Sequence, residues 1–104
     1  MLCIEKKDDG GEFELKLGES FEIRLPENPT TGYRWRSGPS VPAQLEVVDE
    51  GYDASGAAMG GGGVHHWRLR AVREGQAAVE LEYRRSWENR PVDTFRMTLN
   101  VKPA

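Results

Sequence analysis

The chain has a single cysteine, Cys3, in 104 residues. No disulfide can form within it, so its fold must be held by a core. A chain of this length can bury roughly 65% of its unfolded surface and fits one domain, residues 1–104, with no metal or cofactor needed to hold it. No apolar run approaches the ~20 residues that span a membrane. No secretory signal precedes the first apolar alternation, since Met1–Cys3 is too short for one. The expectation is a cytoplasmic protein as the sequence stands, or a periplasmic or secreted one if a leader has been removed. Cys3 is read as a plain thiol, with lipid attachment as the alternative in that second case. The net charge is -3 with both signs interspersed. There is no basic block for nucleic acid and no acidic tail.

Helical periodicity is also lacking, and strand alternation takes its place. Phe13, Leu15 and Leu17 alternate with Glu12, Glu14 and Lys16. Phe21, Ile23 and Leu25 alternate with Glu22 and Arg24, and Tyr33 and Trp35 with Arg34 and Arg36. Leu45 and Val47 form a shorter version. Further runs lie at Trp67–Ala71, Val79–Tyr83 and Phe95–Val101. One apolar and one wet face per strand is the mark of antiparallel sheet. Turn signals (DDGG, LGE, ENPTTG, SGPSVP, REGQ, ENRPVD) separate the runs. Seven to eight short strands at this spacing predict an all-β protein, an immunoglobulin-like antiparallel β-sandwich. A small barrel is the alternative.

If consecutive strands run up and down, every second connection lies at the same end. Residues 26–32, the stretch from 49 to 63, and residues 85–93 would then share one end, with shorter turns at the other. Loops on a rigid sheet are where recognition resides.

Each of the three has a bland and a functional reading. In ENPTTG, Pro29 fixes its own φ and Gly32 can take a positive one, leaving Asn28, Thr30 and Thr31 on a small, uncharged, partly preorganised tip. It is either a well-made hairpin loop or a wedge. Gly60, Gly61, Gly62 and Gly63 are either a slack loop or a place where another backbone approaches main-chain N–H and C=O groups directly. Trp87, past the end of a strand and close to Arg85, is either a lid folded over the sandwich or an exposed contact of the kind common in interface hot spots.

Enzymatic chemistry finds little support. Adjacent His65 and His66 face opposite sides of a strand and cannot easily share a metal. No serine lies in a nucleophile-elbow pattern, no base accompanies Cys3 in sequence, and the glycine run lacks the Lys-Ser/Thr and helix of a phosphate loop. The chain is read as a non-enzyme without a metal site.

Taken together and in order, NPTTGYRW, GGGGVHHW and YRRSW resemble the chagasin-type inhibitors of papain-like cysteine proteases. The first motif is carried by Asn28, Pro29, Thr30, Thr31, Gly32, Tyr33 and Trp35. The second comprises Gly60 to Gly63 with Trp67, and the third Arg85, Ser86 and Trp87. One departure is Ser86, where the family usually has proline, so the loop lacks that fixed φ. The resemblance implies an immunoglobulin-like fold and a monomer whose partner is a papain-like cysteine protease. It implies reversible, competitive inhibition, with the Asn28–Gly32 loop in the active-site cleft and the other two segments gripping its walls. The alternative reading is a glycan-binding or adhesion module of the same fold.

Overall fold

The computed structural model describes residues 1–28, 31–37, 42–53 and 62–104. Eight strands are found among them: β1 (Leu2–Glu5), β2 (Glu12–Lys16), β3 (Ser20–Glu27), β4 (Tyr33–Ser37), β5 (Leu45–Asp53), β6 (Gly63–Ala71), β7 (Gly75–Arg85) and β8 (Asp93–Lys102). One turn of 3-10 helix, Lys6–Asp8, follows β1. Among the described residues no helix is long and apolar enough to cross a membrane. The strands form two four-stranded sheets, ordered β1-β3-β6-β5 and β2-β8-β7-β4, in an immunoglobulin-like sandwich.

Both inner pairs, β3–β6 and β7–β8, and the edge pairs β5–β6 and β4–β7 are antiparallel, as the alternation and short turns predict. Two edge pairs are not: β1 runs parallel to β3, and β2 parallel to β8. The cause is connectivity. β1 and β2 are consecutive in sequence but enter opposite sheets, so neither meets its neighbour through a hairpin, and a parallel pair needs a long crossover.

The alternating residues make the core. Phe21, Ile23 and Leu25 of β3, Trp67 and Leu69 of β6, Val79 and Leu81 of β7, and Phe95, Met97, Leu99 and Val101 of β8 are all buried. Each such side chain contributes about 1.5–3 kcal/mol through burial. Ile4 adds a fully buried residue from β1. β5 departs from the expected alternation after Leu45. Its register shifts between Val47 and Asp49, and Val47 and Val48 are exposed. A bulge on a charged edge strand discourages pairing with another chain.

The registers also fix which connections share an end. β3 and β5 both run antiparallel to β6, so Glu27 lies opposite Gly63 and Asp53 opposite Val64. In the second sheet Tyr33 lies opposite Arg85, and Tyr83 opposite Asp93. The connections that follow β3, β5 and β7 therefore leave from one end of the sandwich. The other end is tied separately, the Gly18 amide donating to the Ala71 carbonyl and the Val72 amide to that of Gln44, both at 2.8 Å.

Candidate functional site

Trp35 anchors the shared end. Its backbone amide donates to the Glu27 carboxylate (2.8 Å) and its indole N–H to the Pro26 carbonyl (2.8 Å), tying the start of β4 to the end of β3 across the sandwich. Tyr83 stacks on Trp35, with ring centroids 4.9 Å apart, and its hydroxyl accepts from the Asn28 amide at 3.2 Å. Asn28, just past β3, is thus tied to a stack of aromatic rings.

Thr31 closes the loop on itself. Its hydroxyl donates to the Asn28 carbonyl (2.8 Å), its amide donates to the same oxygen (3.2 Å), and its Oγ1 accepts from the Tyr33 amide (3.3 Å). Gly32 then takes a φ of +81°, a conformation that favours glycine. A Cβ there would also lie 3.2 Å from Cη2 of Trp87.

Arg85 joins the first and third segments. Its Nε donates to the Thr31 carbonyl at 3.3 Å, and its guanidinium lies 4.4 Å from the Tyr33 ring centroid and 5.7 Å from that of Trp87. Glu88 returns to it at 3.2 Å, while the Glu88 amide donates to the Arg85 carbonyl. Arg84 donates to the Glu88 carbonyl at 3.3 Å. These bonds brace the turn through Ser86 without the fixed φ of a proline. Trp87 is 71% exposed, so it projects beside Gly32 and does not fold back over the core.

Residues 14–99 match the profile of the Chagasin family peptidase inhibitor I42. The chain belongs to that family. Chagasin of Trypanosoma cruzi is 30% identical over 105 residues, covering 95% of this chain and 94% of that protein. Amoebiasin-1 of Entamoeba histolytica is 36% identical over 104 residues, covering 97% and 100%. In fold, the chain is similar to the crystal structure of the cysteine protease inhibitor EhICP2 of Entamoeba histolytica, with a TM-score of 0.83 at 19% identity over 97% of this chain and 94% of that one. As a chagasin-family protein the molecule is a cysteine protease inhibitor and not an enzyme.

Among the chagasin-motif residues, Asn28, Thr31, Gly32, Arg85, Ser86 and Trp87 come together at the shared end. Pro29, Thr30, Gly60 and Gly61 lie outside the described residues. Among the described residues a Cβ on Gly62 would meet nothing within 4 Å, whereas Gly63 is part of β6, and a Cβ on it would press on the Tyr52 ring and come 2.5 Å from the Asp53 carbonyl oxygen. Gly63 therefore lets β5 and β6 close up where β6 begins.

Reading by motif missed a buried polar cluster at the root of these segments. His65 Nδ1 lies 2.8 Å from Glu27 Oε2, and His65 Nε2 lies 2.8 Å from Glu50 Oε2. The His65 ring stacks on Trp67 with centroids 3.9 Å apart. Burial pushes the Glu27 carboxyl up, but the bonds it accepts from His65 and the Trp35 amide outweigh that and hold it below the usual carboxylate range. Burial likewise pushes His65 down, and the two carboxylates more than reverse it, leaving the imidazole above its usual value. A signal was present in the alternation: Glu27 continues the inward series Phe21, Ile23, Leu25, and His65 precedes the inward series Trp67, Leu69, Ala71.

Proposed function

We propose that the chain inhibits papain-like cysteine proteases reversibly and competitively, with the Asn28–Gly32 loop as a wedge in the active-site cleft. The observation that carries this is the coupling of wedge and grip: Trp87 stands exposed against Gly32 while Arg85 holds the Thr31 carbonyl.

A papain-like site places a Cys–His pair at the floor of a groove. Attack needs the thiolate about 3–3.5 Å from a carbonyl carbon and aligned with it. A loop whose Thr31 hydroxyl and amide both hold the Asn28 carbonyl, and whose exit is fixed by Gly32, cannot easily relax into that alignment. It occupies the groove and is not cut. Asn28, Pro29, Thr30, Thr31 and Gly32 form the wedge. Gly60 to Gly63 bring main chain to one groove wall, with Gly63 setting their root. Arg85, Ser86 and Trp87 form the other grip. Preorganisation lowers the entropy lost on binding, and an interface of ordinary size would bury about 800 Å² on each partner.

The test is titration of active-site-quantified papain with the purified protein. Loss of activity at near-stoichiometric ratio, recovered on dilution and competitive with substrate, is expected. Undiminished activity at a large molar excess refutes the proposal and returns the glycan-binding reading.

A further inference from the structure

Three strands meet at His65. It lies on β6, Glu27 comes from the end of β3 and Glu50 from β5. Glu27 also holds the amide of Trp35 on β4. This cluster lies at the roots of two of the segments assigned above to the protease groove. None of its three residues is among those that define the motifs, although His65 falls within the GGGGVHHW stretch.

The geometry dictates a protonation state. Each ring nitrogen faces a carboxylate oxygen at 2.8 Å. A carboxylate only accepts, so both contacts need an N–H, and only the imidazolium has two. Neutral His65 would oppose one carboxylate with a bare lone pair. The two contacts are unequal: the Glu27 side chain is 3% exposed and that of Glu50 is 50% exposed. Glu27 is further fixed by Trp35, whereas Glu50 can turn to solvent. The contact given up on deprotonation is thus the one to β5. The cleft around the ring is lined by Glu27, Arg34, Glu50, Gly51, Tyr52 and His65. Of its other charged or titratable groups, Arg34 on β4 is a cation that opposes the charged ring, and the Tyr52 hydroxyl on β5 donates to the Glu27 carbonyl at 3.4 Å. His66, on the opposite face, pairs with Asp49 at 3.5 Å and takes no part.

We propose that His65, bridging Glu27 and Glu50 as an imidazolium, is a positioning residue for inhibition: it locks the roots of the wedge and of the glycine segment to each other, so that inhibition weakens as the ring loses its proton. The proposal rests on the protease-inhibitor reading of these segments. His65 acts through the strand ends and touches no protease atom.

The test compares His65→Gln with the wild type against papain, taking the ratio of inhibition constants at each pH so that the protease's own pH response cancels. Glutamine is neutral at every pH. The ratio should be at least about tenfold near pH 5.5, where the wild-type ring is charged, and fall below about threefold at a pH above the ring's own titration midpoint. A ratio that is the same at both pH values overturns the proposal. Should the variant fail to fold, the wild type alone decides by nuclear magnetic resonance. The His65 ring should titrate with a midpoint above the ordinary histidine value, and the amides of Asn28, Gly32 and Gly63 should shift with that same midpoint. Amides that stay still as the ring titrates overturn the coupling. A wild type that fails to inhibit at either pH overturns the protease reading and the link to inhibition, while the amide titration still decides whether His65 holds the strand ends.

Discussion

Trp87→Ala separates binding from folding, because the same ring is nearly idle in one and central to the other. Trp87 is 71% exposed. In the free protein its partners are the Arg85 guanidinium, 5.7 Å from the ring centroid, and Gly32. An exposed cation–π contact is worth about 0.5–1 kcal/mol, so the variant should lose less than about 1 kcal/mol of stability. For a domain of this size that lowers Tm by no more than about 4–8 °C. In the complex the free part of the indole would be covered. An enclosed tryptophan buries roughly 150–250 Å², so the exposed share comes to roughly 100–180 Å². At about 25 cal/mol per Å² this is about 3 kcal/mol, or roughly a hundredfold rise in Kd. Most of that should appear as faster dissociation, since interface mutations act mainly on the off-rate. Surface plasmon resonance against immobilised, active-site-blocked papain gives the rate, and a thermal melt gives the stability. An unchanged off-rate would mean that Trp87 does not contact the protease. A Tm loss far beyond the stated range would mean that the ring supports the fold after all.

Other perturbations probe the rest of the end. Thr31→Asp puts a charge on the wedge and replaces a hydroxyl that donates to Asn28 with a group that only accepts. Papain inhibition should weaken at least tenfold with about 1 kcal/mol of stability lost, and equal inhibition would remove this loop from the cleft. Gly63→Ala forces a methyl against Tyr52 and the Asp53 carbonyl. A loss of about 1–3 kcal/mol in urea unfolding is expected, whereas Gly62→Ala, with open space around it, should cost well under half that. The pH dependence of Tm follows from the same cluster. Raised in the fold, His65 stabilises fully below about pH 6.5, and that contribution is lost as pH climbs through its folded value. Glu27, lowered in the fold, stabilises fully above about pH 4.3 and loses this as pH falls through its folded value. Tm should therefore be highest between those limits. A profile that keeps rising from pH 6 to 9 would contradict the charged bridge.

The strand alternation revealed the sandwich because most strands have one buried face, and counting reversals brought three segments to one end. What stayed hidden has physical reasons. β1 has four residues and a single buried side chain, Ile4, too little for a period to register. The parallel edges depend on partners far apart in the chain, such as Phe13 with Leu99, which no local pattern encodes. In β5 the bulge after Val47 breaks the alternation. Glu27 and His65 stood on the inward parity, but polar residues at strand ends are ordinarily wet, and only the register opposing β3 to β6 makes them partners. Asn28, Thr31, Gly32 and Trp87 were readable from the motif. The bracing of Ser86 by Glu88 and Arg84 was not, since it depends on the shape of the turn.

The parallel pairing of β2 with β8 bears on how the molecule is made. Glu12 to Lys16 find their sheet partners only at Thr98 to Lys102, so a segment made early waits for one made much later. Joining two stretches that far apart must overcome a large loop-closure entropy, and chains dominated by such distant contacts fold slowly. The second sheet cannot be completed while β8 is still inside the ribosome. Emergence of β8, rather than of the strands before it, is the event that lets this sandwich close.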